Sequence, residues 1–296
     1  MYVVAGVTGH TGSVVAESLL QQGKPITVIV RSEEKARPWI SKGAKAVLGS
    51  LEDADALTRA LSGAAGAYLL TPPNIHAVDF VEERHQLTHS IARAVKNSGI
   101  EHVVVLSSIG AQHASGTGLI VGSHITESAL GSAAKNLTVI RAGFFLENWE
   151  PALGAVQANG VLPTPLTPDR KIPMLATQDI GRVVAESLLS PARGRRIIEL
   201  AGPRDYSPED IASVLSSLLG REVRVQSLPP GAAAQMFKSF GATDDVARLF
   251  EEIYTGVNSG RVAYEDGSAE FRRGEITAED ALRGLLGQSS KAQAGA

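Results

Sequence analysis

Short apolar runs rich in β-branched residues alternate with longer stretches of helical period through the first half of the chain. The runs predict strands at 2–5, 26–30, 46–48, 67–70, 102–107 and 137–141. The stretches between them predict helices at 11–22, 33–41, 53–61, 79–98 and 124–133. Strands that are apolar almost throughout, each followed by a helix, imply a parallel sheet covered on both faces. The fold class expected is α/β, a doubly wound parallel sheet that binds ligands beyond the carboxyl ends of its strands.

The rhythm changes after Arg141. Residues 142–171 are rich in Gly, Pro and Asn, with one short helix expected near 150–158. A helix at 178–189 and a strand at 196–200 then restore the earlier pattern. Helices dominate from Pro203 onward, at 207–219, 232–240, 244–257 and 277–286, interrupted by a strand at 222–227. This organisation predicts a nucleotide-binding domain from 1–142 and 174–200. A smaller, mostly helical cap is expected from 143–173 and 201–287. The segment 288–296, small and polar with nothing to bury, reads as a disordered tail.

Composition narrows the chemistry. The chain has 296 residues and no cysteine, which removes disulfides, thiol catalysis and thiolate-bound metals. A net charge of −3 argues against general nucleic-acid binding. The first strand begins at Tyr2 with no basic leader, and no apolar run reaches the length of a membrane span. A cytoplasmic protein without membrane partners is expected.

The first strand runs into the turn Gly6-Val7-Thr8-Gly9-His10-Thr11-Gly12 and then directly into a helix. Helix N-termini hold phosphates through free N–H groups and a partial positive charge. Strand, glycine turn and helix in this order form a dinucleotide fingerprint. Gly6 suits the tight exit from the strand, Gly9 the approach of a pyrophosphate and Gly12 close helix packing. At the end of the second strand stands Arg31, where an enzyme using NAD would carry an acid. A guanidinium there suits a 2′-phosphate, and Lys35 and Arg37 are near enough in sequence to join it. NADP(H) is the cofactor expected.

Together these features resemble the NmrA-like branch of the atypical short-chain dehydrogenase/reductase family, over nearly the whole chain from Tyr2 to about Leu286. The elements that carry the resemblance begin with the glycine turn, Arg31 and Tyr68-Leu69-Leu70-Thr71-Pro72-Pro73. Two later segments complete it, Leu106-Ser107-Ser108-Ile109-Gly110 and 139–148, which reads VIRAGFFLEN. The helix start Ser123-His124-Ile125-Thr126-Glu127 looks most like that of NADPH-dependent quinone oxidoreductases. The resemblance implies a Rossmann-type sheet with Gly6, Thr8, Gly9, Thr11 and Gly12 on the pyrophosphate and Arg31 on the 2′-phosphate. It places Thr71, Pro72 and Pro73 between the adenosine side and the nicotinamide. Ser107 and Ser108 fall at the family's active-site serine, and Phe144 and Phe145 wall the nicotinamide pocket. Relatives often carry Asp after the third strand; here Gly49-Ser50 stands instead, and Ser50 is the weaker partner for adenine.

Ordinary members of the wider family use Tyr-x-x-x-Lys for proton transfer. None of Tyr2, Tyr68, Tyr206, Tyr254 and Tyr264 has lysine four residues later. The corresponding helix start offers His124, with Ser128 at the lysine position. Quinone reduction asks less, a donor aimed at the oxygen where charge grows. The candidate catalytic residues are His124, Ser108 and Asn148. Glu127 either orients His124 or is a first-turn acid placed by the helix dipole. Asn148 is either a pocket residue or a turn residue, and His10 either touches cofactor or faces solvent. His85 and His89 have ligand spacing but no supporting motif, so no metal is expected. The stretch 232–237 either roofs a flat aromatic substrate or packs as core, and Arg193, Arg195 and Arg196 read as a solvated turn.

The expected function is hydride transfer from NADPH to a quinone-like conjugated acceptor. The alternatives are an azo acceptor on the same scaffold, or an NADP(H)-binding redox sensor without turnover. The sequence leaves the oligomeric state open, a homo-oligomer included.

Overall fold

The computed structural model describes residues 1–229, 231–265, 267 and 269–294, with no side chains described from 288 onward. The first half builds β1 (Tyr2–Val4), α1 (His10–Gln21), β2 (Ile26–Val30), α2 (Glu33–Ser41), β3 (Lys45–Leu48) and α3 (Ala54–Leu61). It continues through β4 (Gly66–Leu69), α4 (Phe80–Ser98), β5 (His102–Ser108), α5 (Val121–Ala133) and β6 (Asn136–Ala142). Side chains fix the helix starts. Asp53 caps α3 by accepting from Asp55 and Ala56 N–H groups, and Asp79 caps α4 through Glu82 N–H.

The second half adds β7 (Phe144–Phe145), α6 (Leu153–Asn159), β8 (Val161–Thr164), β9 (Ile172–Leu175), α7 (Thr177–Leu189) and β10 (Arg195–Ala201). Then come β11 (Asp205–Tyr206), α8 (Pro208–Leu219), β12 (Arg224–Ser227), α9 (Gly231–Ser239), α10 (Asp244–Ser259), β13 (Glu270–Arg273) and α11 (Ala278–Ala294). The tail expected over 288–296 falls on 295–296, which lie outside the described residues, and on 288–294, where only a helical backbone is described.

An eight-stranded sheet runs in the order β13-β10-β6-β5-β4-β1-β2-β3, and its pairings are parallel throughout. Strand order reverses between β1 and β4, and such a switch point opens a crevice at the carboxyl ends. The sheet's two faces carry separate cores. One joins Val15 and Leu19 of α1 to Ile180, Val184 and Leu188 of α7 over Val4, Val28 and Ile140. The other packs Leu57, Ile91, Val95 and Leu130 over Val3, Val103 and Val105. This is the doubly wound layout that alternating apolar strands and helices imply.

One strand departs from the sequence reading. β13 comes from the segment assigned wholly to the cap, yet it pairs with β10 from Ile198↔Glu270 to Ala201↔Arg273. Its sequence, Glu-Phe-Arg-Arg, shows no apolar run because it is a sheet edge with Phe271 half exposed.

A third core lies past the carboxyl end of β5. It gathers Leu146, Trp149, Leu153, Leu162, Met174, Ile211, Leu215, Val257 and Leu282 around Ile109. Two small sheets brace it, β11-β9-β7 and β12-β8. Pairing of Phe144 with Met174 and Phe145 with Leu175 aims the exit of β6 across the end of the main sheet.

Candidate active site

Two neighbouring cavities open at the carboxyl ends of the strands. The first, about 430 Å³, is lined by Gly6, Thr8, Arg31, Ser32, Lys35, Gly49, Ser50, Leu70 and Pro72 among others. Gly6 turns the chain at φ +69°, a conformation that favours glycine, and a Cβ on it would meet the Leu70 side chain at 2.6 Å. Gly12 has no room for a side chain either, since a Cβ would lie 2.3 Å from the Gly6 carbonyl oxygen. α1 therefore starts flush against the turn. Its cap, Gly9, contributes no side-chain bond, and no acid stands in the first turn. The N–H groups of His10, Thr11 and Gly12 lie outside the helical ladder, an arrangement suited to an anion.

At the far end of this cavity Arg31 and Lys35 are exposed and form no ion pair among the described residues. Arg37 is exposed as well but is not part of the lining. Ser50 lines the same cavity, its Oγ accepting from Glu52 N–H at 3.3 Å. A strand-ending turn that excludes side chains, an open helix terminus and two free cations suit a pyrophosphate and one further phosphate.

The second cavity, about 650 Å³, is mostly apolar. Phe144, Phe145 and Trp149 wall one side, and Met236, Phe237, Phe240, Phe250 and Tyr254 wall the other. Phe237 and Phe250 stack at 3.4 Å between centroids, and Phe240 meets Phe237 edge-on at 6.2 Å. The stretch 232–237 thus divides its duties: Ala233 is buried as core while Met236 and Phe237 face the cavity. Ser108 and Asn148 lie in the lining with Pro73.

The NmrA-like family model matches residues 2–260. The chain belongs to the NmrA-like family. It is 27% identical to the NAD(P)H azoreductase of Xenophilus azovorans over 86% of each chain. It is also 27% identical to quinone oxidoreductase 2 of Escherichia coli strain K12, covering 88% of this chain and 89% of that one. A solved structure of the E. coli NADPH-dependent quinone oxidoreductase with NADPH superposes with a TM-score of 0.79 at 24% identity. The match covers 97% of this chain and all of that one.

Within this NmrA-like site several side chains do other work than the sequence suggested. Thr11 turns inward, its Oγ1 2.9 Å from the Tyr68 hydroxyl, and offers a ligand only its backbone. Burial pushes the Tyr68 pKa up, and the Thr11 bond only partly offsets that. His10, the first residue of α1, is exposed. Thr71 lines neither cavity. Its carbonyl accepts from Arg84 Nη1 at 2.7 Å, and the Pro72 carbonyl accepts from Nη2 at 3.2 Å.

Arg84 was not singled out by the sequence. It is buried over the Phe80 ring, and desolvation lowers its pKa to about 10, which still leaves it charged at neutral pH. A charged residue within the helical pattern of α4 carries no mark of burial, so the sequence offered no signal for it.

Glu127 fits neither expected role. α5 begins at Val121, three residues before the expected start, so Glu127 lies beyond the first turn and inside the protein. It accepts from Arg141 Nε and Nη2 at 2.9 Å each, from Arg195 Nη2 at 2.9 Å and from Ser107 Oγ at 2.5 Å. Ser107 is thereby occupied, and Arg195 is an ion-pair partner rather than part of a solvated turn. Arg141 also reaches Glu265 at 2.8 Å. Burial alone would lower its pKa, but the Glu127 and Glu265 carboxylates more than reverse this and raise it. The visible signal was Arg141 itself, a charge inside a buried strand that requires a counter-charge.

His124 is half-buried and absent from the lining of the second cavity; its Nδ1–H donates to the Ala111 carbonyl at 2.9 Å. Glu147, beside Asn148, caps α7 by accepting from the Thr177 N–H at 2.9 Å and its Oγ1 at 2.7 Å. Among the described residues no group of three or more His, Asp or Glu could hold a metal. Likewise no described helix is long and apolar enough to cross a membrane.

Proposed function

We propose that this protein is an NADPH-dependent oxidoreductase that reduces a flat, conjugated, quinone-like acceptor. The observation that carries the reading is the adjacency of two cavities at one switch point. One is fitted for a doubly phosphorylated adenine coenzyme, and the other is walled by aromatic rings. The cofactor's fit rests on the Gly6–Gly12 contact, which leaves the phosphate turn bare, and on the free cations of Arg31 and Lys35. The names of the azoreductase and quinone oxidoreductase relatives support the same chemistry.

When bound, NADPH supplies a hydride at its nicotinamide. The residues of the chain bind, orient and shield. The α1 N-terminus holds the pyrophosphate, and Arg31 with Lys35 selects the 2′-phosphate. Arg84 fixes the Thr71–Pro72 carbonyls, so the chain between the two cavities keeps its course. Phe144 and Pro73, both in the lining of the second cavity, border the nicotinamide and exclude water from it.

Phe237, Phe240 and Phe250 offer flat surfaces to a planar acceptor. Ser108 and Asn148 are among the polar groups near its oxygen, and His124 acts as a positioning residue by bracing the loop after β5 through Ala111. A quinone needs no Tyr–Lys pair, because its reduced anion is delocalised and water can protonate it.

The test is steady-state oxidation of NADPH with a panel of benzoquinones, naphthoquinones and azo dyes. Turnover with at least one quinone is expected, faster with NADPH than with NADH. No oxidation with any quinone overturns the reading.

A further inference from the structure

Tyr254 is a half-buried tyrosine whose hydroxyl finds no partner among the described residues. It lies on α10 one turn after Phe250 and one turn before Val257, and all three line the acceptor cavity along with Ser108, Phe144 and Asn148. Two hydrogen bonds fix the N-terminal end of α10. Thr243 Oγ1 donates to the Ala77 carbonyl at 2.6 Å, and Asp245 Oδ2 accepts from Phe80 N–H at 3.0 Å. Val257 packs in the same core as Ile109, the residue after Ser108. The Tyr254 ring therefore faces the cavity from the wall tied to the end of β5.

Its hydroxyl makes no hydrogen bond among the described residues, and burial is the sole cause acting on its pKa, pushed up to about 12. The hydroxyls of three other tyrosines are engaged: Tyr68 with Thr11, Tyr206 with Ala278 N–H, and Tyr264 with the Leu200 carbonyl. A tyrosine hydroxyl in the wall of a ligand cavity with no protein partner is free to donate to a bound ligand. At neutral pH it retains its proton and acts as a donor.

We propose that Tyr254 is a catalytic residue whose hydroxyl donates a hydrogen bond to the acceptor oxygen that gains negative charge during reduction. This rests on the reading of the cavity as the site of quinone reduction. The acceptor takes a hydrogen and both electrons of a C–H bond at the dihydronicotinamide of NADPH. That bond breaks, a new bond to hydrogen forms on the acceptor, the nicotinamide is oxidised and the quinone becomes a hydroquinone monoanion. The oxyanion accepts from Tyr254 Oη–H. The proton that neutralises it comes from water, because Tyr254 keeps its own. The assignment identifies the favoured acceptors by chemistry, as those whose reduction places charge on oxygen.

Tyr254→Phe removes the hydroxyl and keeps the ring. With saturating NADPH and menadione, kcat should fall on the order of 10²-fold, the effect of deleting one oxyanion donor. KM for menadione, NADPH affinity and Tm should stay near their wild-type values. Crystal violet, a cationic triarylmethane dye that a hydride alone converts to a neutral product, serves as the second acceptor. Its turnover relative to wild type should be preserved.

Wild-type kcat with menadione in the variant overturns the assignment, as does an equal loss with both acceptors or a loss accompanied by a lowered Tm. A wild-type protein that binds NADPH yet reduces no quinone overturns the parent reading instead. The two failures are thereby distinguishable.

Discussion

A Cβ on Gly12 would stand 2.3 Å from the carbonyl oxygen of Gly6, so α1 and the glycine turn before it touch backbone to backbone. Neither partner of that contact is a flexible side chain able to give way.

Gly12→Ala should therefore displace α1 from the turn. A stability loss of about 1–3 kcal/mol is expected from the overpacking, read as a lowered midpoint in urea. NADPH affinity should drop at least tenfold by fluorescence titration. An unchanged midpoint together with unchanged affinity would show that the contact relaxes freely.

Glu127 is the shared acceptor for Arg141, Arg195 and Ser107. Glu127→Ala would leave the buried Arg141 with the more distant Glu199 at 3.8 Å and the half-exposed Glu265. Breaking a buried pair from one side costs about 3–5 kcal/mol. Denaturant unfolding should show a loss of that order, and chemical shifts around the end of β5 should move through Ser107. A loss below 1 kcal/mol would contradict the placement of Glu127.

His102 is buried on β5 with Nε2 3.0 Å from Thr138 Oγ1 and no partner for Nδ1 among the described residues. Desolvation, aided by the nearby Arg196, holds its pKa below the ordinary 6.5. The unfolded chain therefore takes a proton before the folded one as pH falls, and stability declines from about pH 6.5 downward until the folded pKa is passed. His102→Gln should flatten this slope. Urea midpoints between pH 7.5 and 5 provide the check, and a slope identical to wild type would refute the assignment.

The parallel sheet, its two covering layers and the glycine turn before α1 were legible because each rests on local signals. Those signals are the apolar runs of β1 to β6, the glycines at 6, 9 and 12, and the period of the helices between strands. What escaped depends on pairs brought together from distant positions. Arg84 earns its role from the Thr71 and Pro72 carbonyls, and Glu127 from Arg141 and Arg195, 14 and 68 residues away. A helix start moved by three residues was enough to take Glu127 out of the first turn, where the helix dipole would have placed it, and into the buried interior. β13 escaped for the opposite reason, since an exposed edge strand needs no apolar run.

The same reasoning separates His124 from Ser108 and Asn148. His124 touches Ala111 and not the cavity, so His124→Ala should lower quinone turnover less than tenfold. It should also leave the pH profile of kcat unchanged. A loss of 10²-fold or more, with a missing ionisation near neutrality, would make His124 the proton donor instead.

The central claim is that the cleft beside α1 holds a coenzyme whose extra phosphate is read by Arg31. Calorimetric titration of the wild-type protein with NADPH and with NADH, repeated on Arg31→Ala, tests it most directly. NADPH should bind at least tenfold tighter than NADH, and the preference should shrink by about 1.5–3 kcal/mol in the variant. Equal affinities in the wild type, or no heat with either coenzyme, would contradict it.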